Sequence, residues 1–408
     1  MNEPVEASER LSLNLPVSNF SPSLGGMMRR TIFDEDHEAF RESCRTFVDR
    51  TLRPNQEKHI ANHGFGREVW LEMGRQGLLG LNVPEAYGGT GVDDPRFSLI
   101  FAEELSRLAL AYASCVGIHV NCVAPYLVDL AAEEQKQRWL PGFCTGELIT
   151  ALAMTEASGG SDLAALKTRA VRDGDNWVLN GSKTFITNGA SADLVLVAAR
   201  TSPDKGAKGI TLFVVEAGMP GFERGRKLDK VGMPEADTSE LFFSDVRISA
   251  ANVIGEIDQG FGYMMQRLVV ERMGSAVSNI AHARQILDET LDYAKERKAF
   301  GTPIGSFQAN KFTLAELQTL AEVTQAFVDQ CVMEAAHGSL TAVDAAKAKW
   351  WSAQAQNDIL DACVQLWGGY GYMNEYRVAR AWADARGAKI WAGSNEIMKE
   401  LIGRDMGL

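Results

Sequence analysis

The chain has 408 residues, of which 46% are hydrophobic and 23% are charged, and its formal net charge is −12. This length exceeds what one hydrophobic core usually supports, so two or three subdomains are expected. The acidic balance argues against nucleic acid or an anionic membrane as a partner, because both bind basic surfaces. No run approaches the ~20 apolar residues of a membrane helix, and the acidic N-terminus resembles neither a signal peptide nor a transit peptide.

The chain carries six cysteines and six histidines, dispersed along the sequence. No CxxC pair occurs, so the cysteines predict neither a zinc site nor a disulfide framework. Reduced thiols are the plain interpretation, and we expect a cytoplasmic location. His59 and His63 are four residues apart, but no glutamate completes the metalloprotease pattern, and we expect no bound metal.

Changes in local pattern divide the chain into four segments. Residues 1–30 are rich in Ser, Pro, Asn and Gly and predict a mobile N-terminal tail. Residues 31–149 carry apolar residues at helical spacing and predict an N-terminal helical domain. Residues 150–256 predict a β domain, and helical patterns return over residues 257–408.

Two Asn-Gly pairs mark the β segment. Asn180-Gly181 and Asn188-Gly189 stand beside short runs of β-branched and aromatic residues. Asn-Gly in this setting predicts tight hairpin turns, because both central residues must adopt a positive φ. The runs LVLVAAR, GITLFVVE and SELFFSDVRI predict further strands. A small antiparallel barrel or sandwich is therefore expected.

A single helix of more than 30 residues is predicted after Gly260, over FGYMMQRLVVERMGSAVSNIAHARQILDETLDYAKERK. Two further long helical patterns follow, and helices of this length suit a four-helix bundle. The expected fold class is α+β, with an N-terminal helical domain, a middle antiparallel β domain and a C-terminal four-helix bundle. Gly368, Gly369 and Gly371 follow a helix and have the wrong spacing for a Rossmann motif.

Four separated segments carry a resemblance to a known family. They are residues 154–162 (MTEASGGSD), 183–189 (KTFITNG), 296–301 (ERKAFG, followed by FQ), and 365–372 (QLWGGYGY, followed by IWAGSNEI). In this order they resemble the signature motifs of the acyl-CoA dehydrogenase family, and the resemblance extends over nearly the whole chain. It implies an enzyme that uses FAD to place a trans double bond between Cα and Cβ of a fatty acyl thioester.

The resemblance also implies which residues hold the cofactor. FAD contacts are expected from Met154, Thr155, Ser161, Phe185, Thr187, Arg297, Phe300, Phe307, Gln308, Gln365, Gly368, Gly369, Ser394 and Glu396. Phe185 would pack on the flavin, and Thr187 would bond near its N5 edge. Arg297 and Gln308 would reach the FAD pyrophosphate of a neighbouring subunit.

Each of these motifs also has a purely structural interpretation. A glycine-rich turn lets N–H groups approach an anion or a flat ring, but it is also an ordinary turn. Phe185 and Thr187, on one face of a strand by alternation, could be a core aromatic beside a sheet hydroxyl. The Arg297 guanidinium suits a phosphate, yet it could simply end a helix that Gly301 caps.

The catalytic base is the point at which the chain departs from the commonest family pattern. Many members place a glutamate in a Y-E-G-T segment, where this chain has Ala392. In the long-chain and isovaleryl-type branches the glutamate lies instead on the helix after the β domain, and Glu271 in VVERM matches it. Its apolar flanks predict a raised pKa, although a pair with Arg272 would be the structural alternative. The Ala392 N–H would help to polarise the thioester carbonyl, and substrate contacts are implied for Ser161, Arg272 and Gly393.

The resemblance further implies an acyl-CoA substrate, an electron-transferring flavoprotein as electron acceptor, and a homotetramer. Residues 114–125 are expected to line the end of the acyl pocket, with Gly117 leaving space. We expect medium or long straight chains, and the alternative substrate is a branched, terpenoid or sterol-derived acyl group. Two alternatives stay open at this point. One is an acyl-CoA oxidase or flavin monooxygenase relative of the same fold, and the other is a non-catalytic subunit of a mixed oligomer.

Overall fold

The computed structural model describes residues 28–408. Residues 1–27 of the predicted N-terminal tail therefore lie outside the described residues. Arg30, at the end of that predicted tail, is already held by the folded protein. Its Nη2 atom lies 2.7 Å from Glu103 Oε1 and 2.7 Å from Asp329 Oδ1. The folded part of the chain thus begins at least one residue before the predicted boundary.

The N-terminal domain is helical, as the spacing of its apolar residues predicts. Its helices are α1 (Glu35–Phe47), α2 (Gln56–Ala61), α3 (Arg67–Arg75), α4 (Pro95–Leu108), α5 (Leu110–Gly117), α6 (Ala124–Leu130) and α7 (Glu133–Thr145). Asp34 caps α1 by accepting a hydrogen bond from His37 N at 3.2 Å, which satisfies an otherwise free donor of the first turn. A π-helical segment, Ile118–Val123, joins α5 to α6 and packs on both the β domain and the C-terminal bundle.

The continuous stretch Leu110–Leu130 is longer and more apolar than the sequence analysis expects. Its mean hydropathy of 1.3 passes the length and composition test for a membrane span, but 67% of it is buried inside the protein. Among residues 28–408 no other helix passes that test. Such burial is typical of a core helix, so this finding is weak evidence for a membrane.

The middle domain is one eight-stranded sheet in the order β6-β7-β3-β2-β4-β5-β8, with β1 on β4. The strands are β1 (Thr150–Ala153), β2 (Arg169–Asp173), β3 (Asn176–Thr187), β4 (Leu194–Arg200), β5 (Ile210–Glu216), β6 (Phe222–Lys227), β7 (Thr238–Ser249) and β8 (Val253–Ile254). Most pairs are antiparallel as predicted, but β1 pairs with β4 in parallel, and β2 meets β4 in parallel at one residue pair. Strands β4 and β5 are buried on both faces, which accounts for their uninterrupted apolar sequences.

The two predicted Asn-Gly hairpins are wrong. Asn180-Gly181 lies inside β3, at a shift in its register with β7, where a Cβ on Gly181 would meet Thr168 Oγ1 at 2.6 Å. Asn188 directly follows β3 and has a φ of 62°. The next strand, β4, does not pair with β3, so no hairpin forms there either. The hairpin between β2 and β3 instead turns through Gly174, whose φ is 62°.

The C-terminal domain contains three long helices, the first of which is the predicted helix of more than 30 residues. Its elements are α8 (Gly260–Glu296), β9 (Lys298–Ala299), β10 (Thr302–Pro303), α9 (Gln308–Ala336), α10 (Ala342–Trp367), α11 (Arg377–Arg386) and α12 (Asn395–Asp405). Helices α8, α9 and α10 share one apolar core to which α4 and α11 contribute, and α12 packs along α10. Gly301 is not the cap of α8, because it forms with Phe300 the turn between β9 and β10.

Candidate active site

A buried ion pair fixes the glycine-rich loop that follows β1. Lys183 Nζ lies 2.9 Å from Glu156 Oε1 and donates at 2.9 Å to Met154 O. Glu156 also accepts hydrogen bonds from the backbone N–H groups of Lys167 and Thr168 at 2.7 and 2.9 Å. Burial lowers the pKa of Lys183 to about 8, while Glu156 acts to raise it. The pair therefore ties the first motif, in the loop, to the second motif, on β3.

Phe185 occupies an unusual position on β3. Its φ is 59° and 67% of its surface is exposed. The register of β3 against β7 shifts between Lys183 and Ile186, so simple alternation does not hold there. A left-handed backbone is unfavourable for a bulky aromatic residue and is commonest where a site requires it. Next to it, Thr184 N donates to Thr155 O at 3.0 Å, so Phe185 and the loop form one surface.

Glu271 lies on the first half of α8 in a setting suited to a base. Its side chain is partly exposed, yet its Oε1 atom is enclosed and has no hydrogen-bond partner. Burial raises the pKa of Glu271 to about 7, and the positive charge of Arg272 acts against that rise. No salt bridge joins Glu271 to Arg272 among the described residues, so the structural alternative of a simple ion pair is not what the geometry shows. The carboxylate is left available to a ligand.

The π-helical segment and α6 form a wall beside Glu271. The pKa of the buried Cys122 thiol and that of the buried Tyr126 hydroxyl are both raised, first by burial and then by the charge of Glu271. Tyr126 Oη is enclosed without a hydrogen-bond partner. A Cβ on Gly117, at the end of α5, would meet nothing within 4 Å. Residues from the predicted pocket segment thus reach the neighbourhood of Glu271 and leave free volume nearby.

The turn before α12 reaches the same region. Ala392 has a φ of 52° and Gly393 a φ of 87°. A Cβ added to Gly393 would lie 3.9 Å from Arg272 Nη2, which places this turn against the residue that follows Glu271. The Ala392 N–H donates to no backbone acceptor within the part of the chain that the structure describes. It is therefore available to a substrate.

The far end of α8 carries a second, separate concavity. A groove of about 480 Å³ is lined by Arg297, Trp367, Gly368 and Gly369, together with neighbouring residues of α8 and α10. The Arg297 guanidinium lies 5.4 Å from the ring centroid of Tyr370. The groove joins the third and fourth sequence motifs and presents a cation, exposed glycine backbone and an aromatic ring. This combination suits an adenosine diphosphate.

Glu271 and the Arg297 groove lie far apart along α8. Arg297 is the C-cap of α8, 26 residues after Glu271, and an α-helix rises ~1.5 Å per residue, or about 39 Å in all.

The comparisons with known proteins agree with this geometry. Models of the acyl-CoA dehydrogenase N-terminal, middle and C-terminal domains match residues 34–147, 151–246 and 258–407. The long-chain specific acyl-CoA dehydrogenase of Sus scrofa mitochondria is 43% identical over 383 residues, which cover 92% of this chain and 88% of that protein. Mitochondrial isovaleryl-CoA dehydrogenase of Solanum tuberosum is 35% identical over 387 residues, 94% of each. A solved acyl-CoA dehydrogenase from Geobacillus kaustophilus has a TM-score of 0.91 at 41% identity, over 93% of this chain and 100% of that one.

The chain belongs to the acyl-CoA dehydrogenase family. It is therefore an oxidoreductase of acyl-CoA thioesters, and the members of this family are flavoproteins. The residues present fit such a cofactor, because the exposed Phe185 and the adjacent loop offer a flat surface for a ring system. Arg297 and the glycine loop offer a place for phosphate and adenosine.

The structure gathers the residues that were predicted to form the active site and the cofactor site into three groups. Met154, Thr155, Phe185 and Thr187, with the exposed Ser161, lie on the loop and β3. Glu271, Arg272, Ala392 and Gly393 lie around the first half of α8. The third group lies at or near the far end of α8 and consists of Arg297, Phe300, Phe307, Gln308, Gln365, Gly368 and Gly369.

Two of the predicted cofactor residues of this acyl-CoA dehydrogenase have contacts of another kind. Ser394 is the N-cap of α12 and accepts from Ile397 N at 3.4 Å. Glu396 is exposed in the first turn of the same helix, where its own backbone N–H and then the Ser394 hydroxyl lower the pKa of its carboxyl. Both contacts are those of a helix N-terminus, and a role at FAD stays a prediction.

Sequence reasoning missed two buried lysines of this acyl-CoA dehydrogenase. Lys183 is the first residue of the motif KTFITNG, but its ion pair with Glu156 was not predicted. Lys349 was not singled out, although a lysine surrounded by alanines at helical spacing, as in AAKAKWWSA, is a signal for a buried charge. Tyr126 was likewise missed as a neighbour of Glu271, because nothing local in the sequence relates the two positions.

Proposed function

We propose that this chain oxidises a medium- or long-chain straight acyl-CoA to its trans-2-enoyl-CoA, with Glu271 as the base that removes the α-proton. The observation that supports this assignment best is the enclosed, unpartnered Oε1 atom of Glu271, beside a turn with a free N–H. A carboxylate whose pKa is about 7 is matched to proton removal near neutral pH.

The residues divide the chemistry between them. When bound, FAD supplies the acceptor for the hydride that leaves Cβ. Glu271 takes the proton from Cα, and its enclosure keeps water from competing for that role. The Ala392 N–H donates to the thioester oxygen, where negative charge develops as the proton leaves. A fixed donor of this kind typically contributes ~3–4 kcal/mol. Loss of the glutamate side chain at position 392 does not affect that donor, because it belongs to the backbone.

A second copy of the chain completes each cofactor site in this proposal. The separation of about 39 Å between Glu271 and Arg297, from 26 residues of helix, supports it. The aromatic surface around the Arg297 groove supports it as well, since Phe300 is 98% exposed and Tyr372 is 78% exposed. Exposed aromatic residues of this size are typical of protein interfaces. We propose a homotetramer, in which pairs of chains share their flavins.

The acyl chain is proposed to run along the π-helical segment toward Gly117. The free space at Gly117 and the enclosed hydroxyl of Tyr126 beside Glu271 support a pocket in this direction. We propose an electron-transferring flavoprotein as the acceptor of the electrons. The cytoplasmic location stays a prediction from sequence alone.

The test is an anaerobic titration of the purified flavoprotein with octanoyl-CoA and with palmitoyl-CoA, in which the flavin absorbance is followed. We expect bleaching by at least one of them, and the tighter ligand gives the chain-length class. The Glu271→Gln variant should bind FAD and acyl-CoA normally, yet lose at least ~1,000-fold in the rate of bleaching, because the amide cannot take the proton. Glu256→Gln, at an exposed glutamate in the loop before α8, is the matched control.

Three outcomes would contradict the proposal. Full activity of Glu271→Gln would remove the base assignment. Rapid reoxidation of the bleached enzyme by oxygen, without any flavoprotein acceptor, would favour an oxidase of the same fold. A wild-type protein purified without flavin would favour a non-catalytic subunit.

A further inference from the structure

A buried lysine lies directly behind the Ala392–Gly393 turn. Lys349, on α10, has no exposed surface, and its Nζ atom donates to Gly393 O at 2.6 Å. Its other polar neighbour is Asn395 Oδ1 at 3.5 Å. Among the described residues no carboxylate lies within ion-pair distance of this ammonium group. A buried charge with a carbonyl as its main partner is unfavourable for the fold, so the position calls for a local reason.

The turn that Lys349 contacts is strained and needs support. Ala392 has a φ of 52°, and the left-handed conformation costs a residue with a side chain ~1–2 kcal/mol. On one side of the turn, Trp391 packs against the core of the N-terminal domain. On the other side, Ser394 begins α12. The bond from Lys349 to Gly393 O joins the turn itself to α10, between those two supports.

The charges around Lys349 come from two other elements. Burial and then the positive charge of Arg272, on α8, lower the pKa of Lys349 to about 8. Glu396, on α12, acts to raise it. Arg272 is itself 6% exposed, and its Nε atom has no hydrogen-bond partner. Lys349 and Arg272 therefore approach the turn from α10 and α8 respectively, and Glu271 is the neighbour of Arg272 on its own helix.

We propose that Lys349 is a positioning residue for the acyl thioester, because its bond to Gly393 O fixes the turn whose Ala392 N–H polarises the substrate carbonyl. This inference rests on the proposed function. An N–H that is displaced by about 1 Å no longer points at the developing charge, and a displacement of that size lowers rates by up to ~100-fold. A lysine that merely filled space in α10 would have no such effect on the chemical step.

The test compares two variants with a control. Lys349→Met keeps the length of the side chain and removes its donors, and Lys349→Gln keeps a donor without the charge. Lys347→Met places the same substitution on α10 at a half-exposed residue paired with Asp344. For each protein we would measure flavin content, kcat and KM with the acyl-CoA that bleaches the wild type. We would also record the charge-transfer absorbance formed with an acyl-CoA analogue that has sulfur in place of the β-carbon.

For Lys349→Met we expect full flavin content, a KM within about threefold of the wild-type value, and a kcat lowered on the order of 10- to 100-fold. The charge-transfer absorbance should fall with it, because it reports the polarised thioester and not the stability of the fold. Lys349→Gln should lie between Lys349→Met and the wild type, and Lys347→Met should match the wild type.

A Lys349→Met enzyme with normal kcat and normal charge-transfer absorbance would overturn the inference, and so would a raised KM with unchanged kcat. If Lys349→Met lost its flavin, Lys349→Gln would decide by the same criteria. A wild-type protein that neither bleaches nor forms the absorbance would instead refute the proposed function, which keeps the two failures apart.

Discussion

Burial raises the pKa of the Glu271 carboxyl, and the proposed function places this carboxyl where the substrate can reach it. The raised pKa of about 7 comes from burial, and Arg272 moderates it. The base must be deprotonated to act, so activity should increase as the pH rises through that value. The same burial makes the ionised form the less stable one when no substrate is present.

A pH profile of kcat/KM checks this expectation for the free enzyme. From about pH 5.5 to about pH 8.5 we expect a rise of roughly tenfold per pH unit below the pKa and a plateau above it. The midpoint should lie near 7 and not near the ordinary glutamate value. A profile that is flat over this interval would show that Glu271 does not limit the reaction through its ionisation.

At the residue scale, the sequence leads to a prediction where the chemistry requires a particular side chain. Glu271 is predicted as the base because VVERM resembles the position that the long-chain and isovaleryl-type branches use, while Ala392 cannot take a proton. This assignment stays a prediction. The left-handed conformations of Phe185 and Ala392 could not be predicted. Such conformations are imposed by a register shift or by a turn between packed elements, and neither Phe nor Ala favours them intrinsically.

At the scale of elements, strand β3 and the loop after β1 depend on the Glu156–Lys183 pair. Both side chains are almost fully buried, at 6% and 0% exposed. Each charge needs the other in this medium of low polarity, because removal of one partner leaves an uncompensated buried charge. Flavin binding should therefore respond to a change at this pair, even though neither side chain was assigned to the cofactor.

The Glu156→Gln variant should lose about 3 kcal/mol of stability, because Lys183 would keep its buried charge without the opposite one. Its retention of flavin on dilution should fall in parallel. Asp173→Asn, in the exposed pair with Arg247, should change stability by less than ~1 kcal/mol. Denaturant unfolding and the release of flavin fluorescence measure the two quantities. Equal losses in both variants would contradict a special role for the buried pair.

Most elements could be predicted because long apolar periodicities are local, as in α8. The hairpins could not be predicted from Asn-Gly alone. Gly181 lies inside β3, where its lack of a side chain lets Thr168 pack close to the backbone. Asn188 lies between β3 and β4, which do not pair with each other. The parallel contact of β1 with β4 was missed for a related reason, since pairing partners far apart in sequence leave no local pattern.

At the scale of the whole molecule, a pair of buried acids lies where α11 meets the β domain. Asp384 Oδ1 accepts a hydrogen bond from Met233 N at 2.5 Å. Burial, followed by the nearby Glu235, raises the pKa of Asp384 to about 7. A carboxyl with a raised pKa binds its proton more tightly in the folded protein than in the unfolded chain. Its contribution to stability is therefore present at low pH and is lost as the pH rises through about 7.

The unfolding temperature should thus fall between about pH 5 and about pH 8, and less so in Asp384→Asn, which keeps an oxygen acceptor for Met233 N. The quantity to compare is the unfolding temperature of this variant minus that of the wild type. We expect this difference to be at least ~2 °C more positive at pH 8 than at pH 5. Asp292→Asn, at an exposed aspartate of α8, serves as control. Identical pH dependence in Asp384→Asn and in the wild type would contradict this account.

The order of the three domains and the family follow from the sequence, because motifs separated by hundreds of residues occur in one order. The division of each cofactor site between two chains was implied by the resemblance alone and stays a proposal, which the length of α8 between Glu271 and Arg297 supports.

The proposed division of each flavin site between two chains has a genetic consequence. A chain damaged at Glu271 still offers an intact groove at Arg297, and a chain damaged at Arg297 still offers an intact base. When both defective chains are made in one cell, an assembly that contains one of each holds one complete site. Two alleles that are each null can then restore activity together, whereas two defects at the same end of α8 cannot.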